Sequence, residues 1–349
     1  MNDELKGKRI VITGVTGQMG STLADLCLEK GARVVGTIRR LSVPNHANIA
    51  HIKDPKFSLE TMDLGDVHSI SATFRKHEPD LWIGCAANSF VGNSWKCPEQ
   101  HIEFNTLGVL RQLEALREFP KTRFLNFGSS EEWGDVQYVP QDENHPLRAR
   151  SPYGASKIAA RQLVKVYRES YGLFAIQPWC TNYESERRGL EFITRKITSG
   201  VAKIVSQIKR GQEITPIVIG NLEARRDWSY CRDFAEGVLL MLNQSAPKEF
   251  VLASGIATTV RCFVELSFQR AGLPIIWHRT VNPLDEFATI DGHAIVLRIS
   301  KEFFRPAEVD LLLGNSAKIR AELGWKPKVD LQGLVNIMVD HDLKCALRT

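Results

Sequence analysis

Apolar positions in the first half of the chain alternate between short continuous runs and a three-to-four-residue beat. Arg9-Ile10-Val11-Ile12-Thr13 is a run of the kind a strand buried on both faces requires. From Ser21 to Lys30 the spacing turns helical through Leu23, Leu26 and Leu28, Gly31 is placed as a helix stop, and Arg33 to Thr37 reads as strand again. These pieces make one βαβ unit. The pattern repeats with a strand at Phe57 to Met62, a helix at Val67 to His77 and a strand at Asp80 to Cys85. A helix near His101 to Phe119, a strand at Arg123 to Phe127, a long helix from about Pro152 to Tyr171 and a strand at Phe174 to Gln177 complete it. Such alternation predicts an α/β fold with a doubly wound parallel sheet that holds ligands at the carboxyl ends of its strands.

Beyond Pro178 the rhythm loosens into mixed segments rich in arginine, proline and aromatics. Residues 1–178 are therefore read as a nucleotide-binding domain and residues 179–349 as a smaller mixed α/β substrate domain. The stretch 229–255, with its strand Phe250 to Ala253, is the candidate for a return to the sheet.

A length of 349 residues suffices for this arrangement, and 43% hydrophobic with 24% charged residues excludes disorder. The net charge of +5 does not indicate nucleic acid, because the basic residues are scattered among 40 acids. Three adjacent pairs stand out: Arg39-Arg40, Arg187-Arg188 and Arg225-Arg226. Any one alone reads as a solvated surface corner, but such pairs suit single phosphate groups. Seven cysteines without a Cys-x-x-Cys spacing argue against a disulfide framework and against a metal site, so a reducing, cytoplasmic setting is expected. Met1 to Lys8 is polar and no apolar stretch reaches bilayer length, so neither secretion nor membrane anchoring is expected.

Between the first strand and helix lies GVTGQMG, with Gly14, Gly17 and Gly20 three apart. Glycines here allow a sharp turn and let backbone amides approach a pyrophosphate at a helix N-terminus. Glycine spacing alone is weak; its place between strand and helix makes it a dinucleotide signal. About twenty residues on, where an acid would bind the ribose hydroxyls of NAD, the chain reads Thr37-Ile38-Arg39-Arg40. Arginines would bind a 2′-phosphate, so NADP is the expected cofactor. Asp63-Leu64, after the third strand, is placed to meet adenine, although an aspartate there is often only a turn former.

Ser151-Pro152-Tyr153-Gly154-Ala155-Ser156-Lys157 reads as a helix entry with tyrosine and lysine four apart on one face. A nearby ammonium favours a phenolate, so Lys157 is expected to activate Tyr153 as a base and to hold the nicotinamide ribose. Just past the fifth strand, Gly128-Ser129-Ser130-Glu131-Glu132-Trp133-Gly134 supplies Ser129 to hydrogen-bond a hydroxyl under oxidation and Glu131 as a general acid or base. Glu132 is read as a solvated loop residue.

With GVTGQMGSTLADLCLEKG, TIRRLS, SPYGASK, NYESERRG, GNLEARRDW and RPAEVDLLLGNSAKIRAELGWKP, the sequence resembles the GDP-mannose 4,6-dehydratase family over nearly its whole length. This family consists of extended short-chain dehydrogenases with a Rossmann-type sheet. The resemblance implies Ser129, Glu131, Tyr153 and Lys157 as catalytic set. It implies NADP contacts at Gly14, Thr16, Gly17, Gln18, Met19 and Gly20, at Arg39, Arg40 and Ser42, and at Asp63 and Leu64. Further cofactor contacts are implied at Cys85, Ala86, Ala87 and Ser89, and at Lys157, Tyr183 and Arg188. Ser94, Asn182, Lys196, Arg226, Arg305 and Glu308 are implied to hold the GDP-sugar. It also implies a homo-oligomer, dimer or tetramer, in which the Arg39 to Ser42 loop reaches a neighbour's cofactor.

The expected reaction is oxidation at carbon 4, elimination of water across carbons 5 and 6, and hydride return to carbon 6. Ser129 stands where the family has threonine, Tyr183 and Phe90 where it has histidine, and Gln100 and Trp133 where it has tyrosine. Basic chemistry survives the first exchange, and the aromatic ones leave the identity of the sugar open. GSSEEWG also resembles the loop of GDP-4-keto-6-deoxymannose reductases, which keeps that activity, or a dehydratase of another GDP-sugar, as the alternative. A non-catalytic NADP sensor would have no need of Ser129, Tyr153 and Lys157 together.

Overall fold

The structure is a computed structural model and describes residues 5–304, 309 and 311–347. Six parallel strands form the central sheet: Arg9–Thr13 (β1), Arg33–Ile38 (β2), Phe57–Thr61 (β3), Leu81–Gly84 (β4), Arg123–Asn126 (β5) and Ala175–Ile176 (β6). Their order is β3-β2-β1-β4-β5-β6. It reverses between β1 and β4, which opens a crevice at the carboxyl ends of those two strands.

Helices Gln18–Glu29 (α1), Val67–His77 (α2), Pro98–Ile102 (α3), Gly108–Leu116 (α4) and Pro152–Tyr171 (α5) make the crossovers. Local chemistry sets their ends. Asp66 caps α2 by accepting from the His68 and Ser69 amides at 3.0 and 3.1 Å. Ser151 caps α5, Pro152 opens its first turn, and Gly172 ends it at φ +63°. The helix expected from His101 starts earlier, at Pro98, and carries a π-turn at Glu103–Leu107 between α3 and α4. That turn brings Asn105 inward, where its amide exchanges two 2.9 Å hydrogen bonds with the Asn88 backbone and donates to Ser156 Oγ at 3.1 Å.

Past β6 the chain continues through Trp179–Cys180 (β7), Asn182–Glu184 (β8), Ile193–Lys209 (α6), Ile217–Ile219 (β9), Arg225–Tyr230 (β10) and Cys231–Leu242 (α7). Then come Val251–Leu252 (β11), Ala257–Thr259 (β12), Val260–Arg270 (α8), Ile275–His278 (β13), Phe287–Ile290 (β14) and Ala294–Ile299 (β15). Leu311–Leu312 (β16), Ala317–Leu323 (α9) and Leu331–Ala346 (α10) follow. β10 is flanked by β12 and β16 and also pairs with β8, while β13-β14-β15-β9 form a separate sheet. The strand at Phe250 to Ala253 does not join the six-stranded sheet; β11 pairs in parallel with β7, just beyond its edge.

Four apolar clusters result among the described residues, the smallest around Trp133, Trp179, Val251 and Leu312. One face of the central sheet packs Leu23 and Leu26 of α1 with Phe234 and Val238 of α7, closed by Trp325. The other face packs α2, α4 and α5, with Phe74 stacked on Trp82 at 3.9 Å. A third core lies among α6, α8, α10 and the sheet of β13 to β15. Among the described residues, no helix is long and apolar enough to cross a membrane.

Candidate active site

The glycine loop follows β1. Gly14 sits at φ +62°, and a Cβ there would fall 2.8 Å from the Ala86 backbone, so the loop presses directly on the segment after β4. A Cβ on Gly20 would fall 2.5 Å from the Gly14 carbonyl oxygen, so only glycine closes this turn. Gly17 is the N-cap of α1 and offers no capping side chain, which leaves the first turn bare for an anion. Gln18 is buried and bridges outward: its amide donates to the Tyr183 carbonyl at 2.9 Å and accepts from Ser185 Oγ at 2.9 Å. Asn48 donates to the Thr16 carbonyl at 2.9 Å, and Met19 packs in the first core.

The other residues expected around a dinucleotide follow the carboxyl ends of β2, β3 and β4, or line the cleft described below. Arg39, Arg40 and Ser42 are exposed just past β2. Ala86 donates its amide to Thr13 Oγ1 at 3.0 Å, and Cys85, Ala87 and Ser89 continue that segment. Asp63 accepts from the Gly65 amide at 2.8 Å, so its carboxylate makes a turn, and Leu64 is buried in the core. The bare helix start, the glycine-only turn and the exposed arginines together fit a dinucleotide.

Ser129, Glu131 and Tyr153 line one wall of a cleft of about 760 Å³, which Ser89, Asn182, Tyr183, Arg188, Lys196 and Arg226 also line. The Tyr153 phenol is pushed up by burial, and a hydrogen bond from Ser129 opposes that push. The sequence assigned the opposing role to Lys157. In the structure, the Lys157 ammonium donates to the Phe127 carbonyl at 2.8 Å and lies 5.9 Å from the Tyr153 ring centroid. Burial pushes its own pKa down to about 8.

The opposite wall carries cations held over aromatic rings. The Arg188 guanidinium lies 3.4 Å from the Phe192 ring centroid and pairs with the buried Glu184 at 3.3 Å. Lys196 Nζ lies 3.2 Å from the Phe303 ring centroid, and partial burial pulls its pKa down. Arg226 is buried at its base, where it donates to the Val309 carbonyl at 2.7 Å. Asn182 Oδ1 is buried without a partner among the described residues, in the same cleft. Ser94, by contrast, is fully buried away from the cleft and donates to the Val91 carbonyl at 2.8 Å within its own turn. Arg305 and Glu308 lie outside the described residues.

Glu132 requires a correction. It is not a solvated loop residue but completely buried, and it accepts from the Ser129 amide at 2.7 Å and pairs with Arg161. Glu184 and Phe192 were missed by sequence reasoning. Their signal was their spacing of four residues before and after Arg188, which reads as a pairing only where the segment is helical, and here it is strand and turn.

The sequence profile of the GDP-mannose 4,6 dehydratase family matches residues 11–338. A GDP-mannose 4,6-dehydratase of Yersinia enterocolitica is 38% identical, over 97% of this chain and 95% of that one. GDP-mannose 4,6 dehydratase 2 of Caenorhabditis elegans is 39% identical, over 96% and 89%. Among solved structures, a Thermus thermophilus UDP-glucose 4-epimerase with NAD superposes with a TM-score of 0.78 at 23% identity, covering 96% and 98% of the two chains. RMD of Pseudomonas aeruginosa with NADPH gives 0.73 at 20% identity, covering 97% and 100%. These last two share the fold, and each was solved in complex with a nicotinamide dinucleotide. The near-complete profile match and the full-length relatives show that the chain belongs to the GDP-mannose 4,6-dehydratase family.

Proposed function

We propose that the protein converts GDP-mannose to GDP-4-keto-6-deoxymannose and uses NADP. The observation that carries this reading is the convergence of Ser129, Glu131 and Tyr153 on one cleft, faced by Arg188, Lys196 and Arg226. When bound, the dinucleotide would supply the hydride chemistry, acceptance from carbon 4 and return to carbon 6. Gly14 to Gly20 would hold its pyrophosphate, with Lys157, Tyr183, Arg188 and the Cys85 to Ser89 segment around the rest. Arg39 and Arg40 support NADP over NAD, because their exposed guanidinium groups match a 2′-phosphate and repel nothing on it.

Tyr153 removes the proton from the carbon-4 hydroxyl, which Ser129 holds in line. The resulting ketone acidifies the proton on carbon 5. Glu131 takes that proton and delivers one to the hydroxyl leaving carbon 6, so a single carboxylate serves both halves of the elimination. Asn182, Lys196 and Arg226, with Arg305 and Glu308, would hold the GDP moiety. In this reading residues 1–178 carry the cofactor and residues 179–349 the sugar nucleotide. Seven free cysteines support a reducing, cytoplasmic setting. Exposed Leu41 and Val43 beside the arginine pair support a homo-oligomer, dimer or tetramer, in which that loop is covered.

The test is incubation of purified protein with GDP-mannose and only catalytic NADP, followed by mass spectrometry for loss of one water. No product from GDP-mannose, together with NADPH oxidation by the 4-keto sugar, would replace this reading with a reductase.

A further inference from the structure

Behind the catalytic wall lies a polar network that the reaction does not touch. Glu132 Oε1 accepts from the Ser129 amide at 2.7 Å and from Gln177 Nε2 at 3.2 Å, and Oε2 accepts from Arg161 Nε. Gln177 Nε2 also donates to the Lys157 carbonyl at 3.0 Å, while its oxygen accepts from Asn126 at 2.7 Å. Arg161 donates to the Gln177 carbonyl at 2.6 Å and lies 3.4 Å from the Trp179 ring centroid. Gly128 leaves room for all this, since a Cβ there would fall 2.7 Å from Glu132 Oε1 and 2.2 Å from the Pro178 carbonyl oxygen. The carboxylate thus ties the Ser129 loop, α5 and the end of β6 to one point.

A buried ion pair of this kind adds little net stability over apolar side chains of similar volume, because desolvation offsets the attraction. Its place beneath Ser129 and one helical turn from Lys157 gives it a different use. We propose that the Glu132–Arg161 pair is the positioning element of this active site: it fixes the Ser129 backbone and the Lys157 segment of α5 relative to each other, and turns Glu131 toward the cleft. The surrounding charges agree. The groups acting on the buried Lys157 ammonium are Glu132, the Cys180 and Cys85 thiols and Arg161, and after burial itself the Glu132 carboxylate acts most strongly, favouring the charged form.

Two variants test this. Glu132→Leu combined with Arg161→Leu removes the pair without leaving a lone buried charge. The Ser129 amide and the Gln177 carbonyl lose their partners, so its melting temperature should fall modestly, whereas kcat with GDP-mannose should fall about 100-fold, the effect of misplacing a reacting group by about 1 Å. KM should change little. Native kcat in this variant overturns the proposal. Glu132→Gln keeps the shape and removes the charge. In protein labelled with [ε-13C]lysine, with the Lys157 resonance identified by its loss in Lys157→Met, Lys157 should lose its proton at lower pH than in the native protein. An unchanged Lys157 titration overturns the proposal even where the double variant does not fold. The kinetic arm rests on the dehydratase reading, but the titration needs neither cofactor nor substrate. A native protein inactive on GDP-mannose would therefore refute that reading and leave the positioning role to the NMR result.

Discussion

Lys157→Met exchanges a buried ammonium for an apolar chain of similar length, and its effects on stability and on turnover should have opposite signs. Lys157 is 4% exposed, and burial pushes its pKa from 10.5 down to about 8. Because the folded value lies below the unfolded one, the unfolded chain binds more protons between those values, and stability rises with pH through that window. Multiplying the gap between 10.5 and about 8 by about 1.36 kcal/mol gives about 3 kcal/mol of destabilisation by the charged side chain at pH 7. Methionine removes that cost but leaves the Phe127 carbonyl without its donor, a loss of about 1–2 kcal/mol. The variant should therefore be more stable than the native protein by about 1–2 kcal/mol at pH 7. Its advantage should shrink as pH rises past 8 and be gone by about pH 10. Urea unfolding curves of both proteins across this range measure it. Dehydration of GDP-mannose by the same variant should drop at least about 100-fold. A methionine variant less stable at pH 7, or one whose advantage persists at high pH, would refute the claim that a desolvated ammonium is held here against its solvation energy.

Glu131→Gln should keep binding GDP-mannose and NADP while release of the dehydrated sugar falls about 10²- to 10⁴-fold; bound NADPH, read by its near-ultraviolet absorbance, should accumulate. A near-native rate would reduce Glu131 to a loop residue. Replacing Arg39 and Arg40 together by alanine should weaken NADP at least about tenfold more than NAD in a binding titration, since NAD offers no phosphate to lose; equal losses would show a structural role. Arg226→Ala should raise the dissociation constant of GDP-mannose with that of NADP unchanged, and calorimetry on both ligands decides it. The melting point should be followed as well, because Arg226 also holds the Val309 carbonyl.

The sheet was legible in sequence because its inner strands are short apolar runs between helices of clear period, whereas the half-exposed edge strand β3, Phe57 to Thr61, was read from its place in the alternation. β11 shows the limit of that signal. Phe250 to Ala253 reads as a buried strand correctly, but apolar character alone does not say which edge accepts it, and it pairs with β7. The glycine loop, Ser129, Glu131 and Tyr153 were found from local spacing, since a helix start and a strand end fix where neighbouring side chains point. Glu132 was misread because an acid next to an acid in a loop resembles a solvated turn. Its partner Arg161 comes from another element, and no pattern along the chain connects the two. Arg188 was anticipated, but its counter-ion Glu184 and its aromatic platform Phe192, each only four residues away, were not, because that spacing pairs side chains in a helix and this segment is strand and turn.

The first core, beneath α1, sets a timetable for folding during synthesis. Its residues run from Leu5 to Trp325, and the indole of Trp325 donates to the Asp233 carbonyl at 2.8 Å to lock α7 over the sheet. A ribosome that has released only residues 1–178 has delivered all six strands but neither α7 nor Trp325. Leu23, Leu26 and their neighbours then lack the cover of α7 until Leu242 has emerged, and the Trp325 contact comes later still. The nascent protein must therefore spend part of its synthesis with the outer side of α1 uncovered, a state prone to capture by chaperones or by other nascent chains.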